Sequence, residues 1–380
     1  MNAPDFAWVD TVDGLQGVSA ALAKAPWVAL DTESNSMFVY REQVCLLQLN
    51  MGGTIVVIDT LAKAVRAAMP ELRAEFARTD RPLYLHGGEF DVGSLKRDFA
   101  IAPGGVFDTQ QAASLLGQEK TGYAAVVEKT CGVVLAKAHT QSDWGRRPLP
   151  ADAVRYAVDD VVYLPRAADT LREQVQQAGI EDEVNVANDA VMKATIRDVD
   201  DEASFWRLKG IRDVPRDLLP LVFALWRFRE EAAKAANQPA GRIINTEVLY
   251  ALTRHPPTDV ASAKRSGVSA AVLARQGERL LQVVADAKQT PPTLPAQAAQ
   301  HFPTGPQRRR EEALKAWRLT EAAARSTREG RPIPLQLVLP AQAMEHLVRL
   351  GAIDGLEAVP QLGAARISRY GEVLRRLAGP

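Results

Sequence analysis

Cysteine is scarce: Cys45 and Cys131 are the two in a chain of 380 residues. Two thiols exclude a disulfide framework and a cysteine-built zinc site, and they fit a reducing compartment. Long apolar runs are missing as well. The longest, through Val44–Leu49 and Ile55–Ile58, fall far short of the roughly 20 residues that cross a bilayer, so no membrane association is expected. Met1–Asp10 carries two acids and no basic residue, which does not fit the basic-then-apolar plan of a secretory signal. A cytoplasmic protein is expected. Net charge is also absent, with 46 Lys+Arg against 46 Asp+Glu. What is present is ordinary for a globular chain: 47% hydrophobic and 24% charged residues argue against global disorder. At about 100–200 residues per domain, the length predicts two or three domains.

The zero charge hides an asymmetry. Residues 1–200 hold 19 Lys+Arg and 28 Asp+Glu, whereas residues 201–380 hold 27 and 18. A basic half suits a polyanion such as nucleic acid. The acidic half would repel that partner unless some of its acids hold divalent cations.

Strand and helix patterns alternate in the first half, which predicts a mixed α/β domain. Trp27–Asp31, Val44–Leu49 and Ile55–Ile58 read as strands of an antiparallel meander, the last two joined through Gly52-Gly53. Leu83–His86 is a fourth. Helical spacing runs over Leu61–Arg78, Glu89–Phe99, Thr109–Leu116, Tyr123–Thr130 and Ala151–Val175. Beyond residue 202 the pattern is helical: Phe205–Lys209, Asp217–Ala236, Thr246–Thr253, Ala270–Ala287, Gln307–Glu329, Pro340–Leu350 and Leu362–Leu377. A short strand around Ile243-Ile244 is the one exception. Thr290–Pro306, with five prolines, reads as a linker between two helical modules.

Three acidic elements stand out. Asp31 and Glu33 follow the apolar strand in LDTE, and residues i and i+2 of a strand share a face. Two neighbouring carboxylates are costly without a partner, which a hard cation would supply. A solvated strand end is the ordinary alternative. Glu89 and Asp91, in HGGEFD, both lie near a helix N-terminus, where the helix dipole favours acids. Position does not say which of them faces inward. In YAVDD, Tyr156 shares a helix face with Asp160 at i+4 and nearly with Asp159 at i+3, so spacing does not choose between the aspartates.

Taken in order, LDTES, LHGGEFDVGSL and YAVDDVVYL resemble the three motifs of the DEDDy 3′→5′ exonucleases, and the chain is similar to the ribonuclease D family. VCLLQL, FDTQQAASLLG and SDWGRRPLP agree with that family, and the resemblance covers residues 25–175 closely. It implies an RNase H-like mixed-sheet exonuclease domain over residues 1–200, followed by all-α HRDC-type domains. The family spacing assigns Asp160, not Asp159, to the site. Two divalent ions, Mg²⁺ or Mn²⁺, are implied. Asp31 would bridge them, Glu33 and Asp160 would complete one position, Asp91 would hold the other, and Tyr156 would orient the attacking water. With an ordinary pKa near 10, that tyrosine is a poor general base. The family usually has Phe where Ser34 stands, and NSMFVYREQ departs from the common bacterial form. Phe38 and Tyr40 in that segment are expected in the core.

Leu218–Ala287 resembles an HRDC domain through WRFREEAAKAANQPAGRII, EVLYAL and ARQGERLLQVV, which sets a module at 211–290. Residues 305–380 are read as a second, degenerate copy. Arg227, Arg229, Lys234, Arg242, Lys264, Arg265 and Arg308–Arg310 are candidate phosphate contacts, with a solvated helix face as the alternative for each. Trp226, Trp317 and Phe228 are expected in the core. The implied activity is release of 5′-mononucleotides from the 3′ ends of tRNA precursors and other small structured RNAs, by a monomer. Two rivals remain: a DEDDy exonuclease acting on DNA, and a non-catalytic RNA-binding protein that keeps the fold.

Overall fold

A computed structural model describes residues 5–135, 142–196, 202–297, 303–352 and 355–379. Part of the expected linker, 298–302, and the expected domain end at 200 lie outside the described residues. The chain divides into two compact units. One comprises Met1–Ser34, Val44–Ile196 and Phe302–Pro380; the other comprises Asn35–Gln43 and Arg197–His301.

The first unit is built on a six-stranded sheet. Its strands are β1 (Ala7–Val9), β2 (Val28–Ser34), β3 (Val44–Met51), β4 (Thr54–Asp59), β5 (Leu83–Leu85) and β6 (Val106–Asp108), in the spatial order β1-β4-β3-β2-β5-β6. The β2–β3–β4 meander is antiparallel, as the sequence predicts, and β1, β5 and β6 add parallel strands. The sequence reading contains neither β1 nor β6, both three-residue parallel strands.

Alternation along the strands sends side chains to two cores. Val28, Leu30, Leu47, Leu49 and Ile58 pack on one face with helix α1 (Val12–Lys24). Ala29, Leu46 and Val57 pack on the other with later helices. Helix α1 was not anticipated, although Thr11 caps it and Leu15, Val18 and Leu22 mark its buried stripe. The long helix expected over 61–78 is split into α2 (Lys63–Ala68), a tight turn at Met69–Leu72 and α3 (Arg73–Phe76). Pro70 in that turn cannot donate to a helical ladder.

Then come α4 (Glu89–Phe99), α5 (Thr109–Leu115) and α6 (Tyr123–Cys131). The single helix expected over 151–175 is two, α7 (Ala151–Val162) and α8 (Leu164–Ala178), with Pro165 in the first turn of the second. Helix α9 (Glu181–Met192) was not anticipated.

The second unit is helical. It contains α10 (Leu219–Ala236), α11 (Ala240–Ile243), α12 (Thr246–Arg254), α13 (Val260–Arg265) and α14 (Ala270–Gln289). The Ile243-Ile244 strand is not formed; Ile243 ends α11. Phe205 lies in a tight turn, Glu202–Arg207, rather than a regular helix. Phe205, Phe223, Trp226 and Phe228 are buried together, and the rings of Phe223 and Trp226 stack at 5.8 Å.

Helices α15 (Gly305–Glu329), α16 (Leu335–Val338), α17 (Ala341–Leu350) and α18 (Ala364–Ala378) return to the first unit. Leu314, Leu337, Leu347 and Leu374 share one core with Val126, Leu171 and Val184 of α6, α8 and α9. Apolar residues of α15–α18 thus share a core with helices of the exonuclease unit.

Candidate active site

The central strand β2 carries the first two acids. Val28, Ala29 and Leu30 bury its start, and the register shifts between Glu33, opposite Leu46, and Ser34, opposite Val44, at the strand's end. Asp31 and Glu33 lie on the same side as Ala29, the side that α7 covers. Helix α7 presents Tyr156 and Asp160 one turn apart. Carboxylate oxygens of Asp31, Glu33 and Asp160 all lie within 4.8 Å of one another. Of the two aspartates that spacing left open, Asp160 joins the cluster. The backbone carbonyl of Asp159 accepts a 3.1 Å hydrogen bond from the Tyr123 hydroxyl.

Asp91 comes from the first turn of α4 and is 8% exposed, whereas Glu89 is exposed. The inward residue of that pair is thus Asp91. The Thr32 hydroxyl donates to its carboxylate. The glycine turn before α4 is held from below by Asp108, a fully buried residue that sequence reading passed over. Its carboxylate accepts from the N–H groups of Gly87 (3.0 Å) and Gly88 (2.8 Å), and from Gln110 (2.8 Å) and Gln111 (3.1 Å) at the start of α5. The signal was there: Asp just before a helical stretch is an N-cap signature. A side chain at Gly88 would meet Leu85 at 2.7 Å, so the turn accepts nothing larger. Asp108→Ala strands four backbone donors and should lower stability by about 2–4 kcal/mol. Urea unfolding measures this, and an unchanged midpoint would contradict the clamp.

The SDWGRRPLP stretch also acquires a role. Arg147 makes a two-pronged pair with Asp59 (2.6 and 2.7 Å) and donates to the carbonyls of Cys45 (3.1 Å) and Trp144 (2.8 Å). Trp144 is buried, with its ring 6.4 Å from that of Tyr156. A cavity of about 510 Å³ beside these groups is lined by Tyr123, Leu135, Tyr156, Asp159 and Asp160, among others. His86 serves the scaffold: its Nδ1 lies 2.8 Å from the Thr109 hydroxyl and its ring meets Tyr123 edge-on.

Electrostatics set the site's chemistry. Burial, then the charges of Asp160, Asp91 and Glu33, hold the Asp31 carboxyl well above the usual range. Burial, then Asp160 and Asp91, raises Glu33 to about 9. Asp160 is raised to about 7 by burial, Asp159 and Asp91. Asp91 is raised to about 6, mainly by burial and against the Thr32 hydrogen bond. Burial also raises the Tyr156 phenol, with Asp160, Glu33 and Asp31 adding to it, so the phenol keeps its proton near neutrality. Among the described residues no lysine or arginine is ion-paired to any of the four acids. A clustered all-oxygen donor set with unrelieved repulsion fits a hard divalent cation.

The basic residues fare unevenly. Arg229 is 7% exposed and pairs with Glu230 at 2.7 Å, so burial removes it from the candidate phosphate contacts. Arg227 is exposed and faces Glu202 at 3.5 Å. The Arg242 guanidinium lies over the Phe38 ring at 5.4 Å and donates to the Met37 carbonyl at 3.3 Å. Tyr40 packs against the same helical core and donates its N–H to Asn237 at 3.4 Å. This is what the unusual NSMFVYREQ segment does in the second unit. Lys234, Lys264, Arg265, Arg308 and Arg309 are exposed, and Arg310 donates to the Gly379 carbonyl. Trp317 is partly buried, edge-on to Tyr370 at 5.3 Å.

Comparison with known proteins identifies the family. The sequence profile of the 3′-5′ exonuclease family matches residues 6–176, and that of the HRDC domain matches residues 219–284. Ribonuclease D of Acidiphilium cryptum is 31% identical over 295 residues, covering 76% of this chain and 74% of that protein. Ribonuclease D of Granulibacter bethesdensis is 32% identical over 302 residues, covering 77% and 74%. The crystal structure of Escherichia coli RNase D, an exoribonuclease involved in structured RNA processing, superposes with a TM-score of 0.71 at 23% identity, covering 98% of each chain. A mixed sheet with an acidic cluster at the end of its central strand, followed by an HRDC module, defines a divalent-metal-dependent 3′-5′ exonuclease. The chain belongs to the ribonuclease D family and is a 3′-5′ exoribonuclease.

Proposed function

We propose that this chain trims the 3′ ends of tRNA precursors and other small structured RNAs, as a cytoplasmic monomer working with two Mg²⁺ or Mn²⁺ ions. The observation that carries the metal reading is the approach of Asp31, Glu33 and Asp160 to within 4.8 Å, with Asp91 close enough to shift their titration. Asp31 would touch both ions, Glu33 and Asp160 would complete one position, and Asp91 would serve the other. When bound, such ions supply an activated water and neutralise charge that builds on the phosphate.

The protein's own part is to hold and orient. Tyr156 keeps its proton and donates a hydrogen bond, so it positions the water and does not deprotonate it. The Trp144 ring lies 6.4 Å from that of Tyr156, and the Trp144 carbonyl accepts from Arg147 of the Arg147–Asp59 pair. The 3′-terminal nucleotide would occupy the cavity lined by Tyr123, Leu135 and Tyr156. Exposed Lys234, Lys264 and Arg265 of the HRDC module, with Arg227 and Arg242, would contact phosphates. Residues 305–380 would be a second, degenerate copy of that module.

The test is a 5′-labelled tRNA with a few extra 3′ nucleotides and the matching DNA strand, incubated with Mg²⁺, Mn²⁺ or EDTA. A metal-dependent ladder that shortens the RNA one nucleotide at a time and stalls near the acceptor stem is expected. Faster loss of the DNA would favour a repair or proofreading role. No metal-dependent shortening of either strand would favour an RNA-binding role without catalysis.

A further inference from the structure

One buried polar side chain next to the site has no partner. Gln48 lies in the middle of β3 and is fully buried, and neither its Nε2 nor its Oε1 makes a hydrogen bond. A primary amide offers two donors and an acceptor with two lone pairs. Leaving it unpaired in a core is destabilising, a loss that Leu or Met at this position would remove. Its neighbours on the same strand face show what such a position ordinarily holds. Leu46 is buried in the apolar core beneath α7, and Asn50 is satisfied by donating to the Val161 carbonyl at 3.1 Å.

The register explains the placement. In the antiparallel β2–β3 pair, Gln48 is the residue directly opposite Asp31. Directly opposed residues carry their side chains on the same face, with Cβ atoms roughly 4.5–5.5 Å apart. An amide on a two-carbon stem spans that gap. Thr32, between the two acids of β2, points to the other face and serves Asp91. Asp31 receives no equivalent side-chain donor from its own strand.

We propose that Gln48 is a positioning residue for metal binding: its Nε2 donates to the ionised Asp31 carboxylate and fixes which oxygen faces the ion. This rests on the reading of Asp31 as a metal ligand. Outer partners of ligating groups commonly set metal affinity by about 10–100-fold. Gln48→Met and Gln48→Leu keep the volume and remove the amide. Each is compared with the full-length wild type by thermal melting in EDTA and by Mn²⁺ titration followed by electron paramagnetic resonance, with Asp31→Asn as the control that removes the ligand.

The expected result is a melting temperature in EDTA at or above that of the wild type, together with Mn²⁺ affinity weakened at least tenfold. Mn²⁺ affinity within twofold of the wild type in either folded variant would overturn the proposal and leave the metal reading intact. A lower melting temperature in EDTA for both variants would overturn it too, since the amide would then serve the fold. Wild type that binds no Mn²⁺, or Asp31→Asn that binds it equally well, would overturn the reading of Asp31 and the proposal with it.

Discussion

Asp31→Asn should reduce turnover of a 3′-extended tRNA by at least about a thousandfold, equivalent to roughly 4 kcal/mol of transition-state stabilisation. The substitution keeps size and polarity but removes the charge at the centre of the acidic cluster. RNA affinity, measured by filter binding in Ca²⁺ or EDTA, should change little, because the basic candidates for phosphate contact lie elsewhere in the chain. Loss of rate with retained binding separates a catalytic role from a structural one. A rate within tenfold of wild type would reject Asp31 as a metal ligand, and a matched loss of binding and melting temperature would indicate a folding defect.

The second large effect concerns pH in the absence of metal. Glu33, Asp160 and Asp91 have folded-state pKa values raised to about 9, 7 and 6. In the unfolded chain such groups titrate near 4. The folded protein therefore binds these protons more tightly than the unfolded one. Their contribution to stability is complete below about pH 4 and is lost as pH rises through 6, 7 and 9. In EDTA the melting temperature of the exonuclease unit should fall between pH 6 and pH 9. Divalent cations compete for the same carboxylates, so their affinity should rise over that interval. At a hundred times the dissociation constant, bound metal adds about 2.7 kcal/mol. The gap between the Mg²⁺ and EDTA melts should consequently widen towards alkaline pH, and scanning calorimetry at several pH values measures it. A gap that narrows or stays constant would mean that the repulsion among these acids is relieved in some other way.

The pieces of the candidate site were legible in the sequence only as pairs sharing a face; that they belong together came from the family resemblance. Two acids at i and i+2 after an apolar strand, and Tyr156 with Asp160 one helical turn apart, announce their shared faces before any fold is known. The antiparallel meander was legible too, through three apolar runs and a Gly-Gly turn. The choices that depended on tertiary packing were not. Glu89 and Asp91 are equivalent along the chain and differ only in what covers them. Arg229 reads like its neighbours but is buried against Glu230. Asp108 announces its cap on α5 locally, but its hold on Gly87 and Gly88, 20 or more residues away, and the placement of Gln48 opposite Asp31 by strand register have no local pattern. Residues 305–380 look like an independent module by composition, yet their apolar faces are spent on α6, α8 and α9.

The acids of the proposed site come from positions 31, 33, 91 and 160, and α7 is the last of the contributing elements to be synthesised. A chain emerging from the ribosome can pair β2 with β3 and β4 early, and it can add α4 soon after. It still lacks Asp160 and the tyrosine until α7 has formed and docked. Domains fold as units while synthesis proceeds, so the growing polypeptide passes through more than 150 residues without an assembled centre. On the proposed assignment, the centre cannot assemble until the catalytic domain is nearly complete.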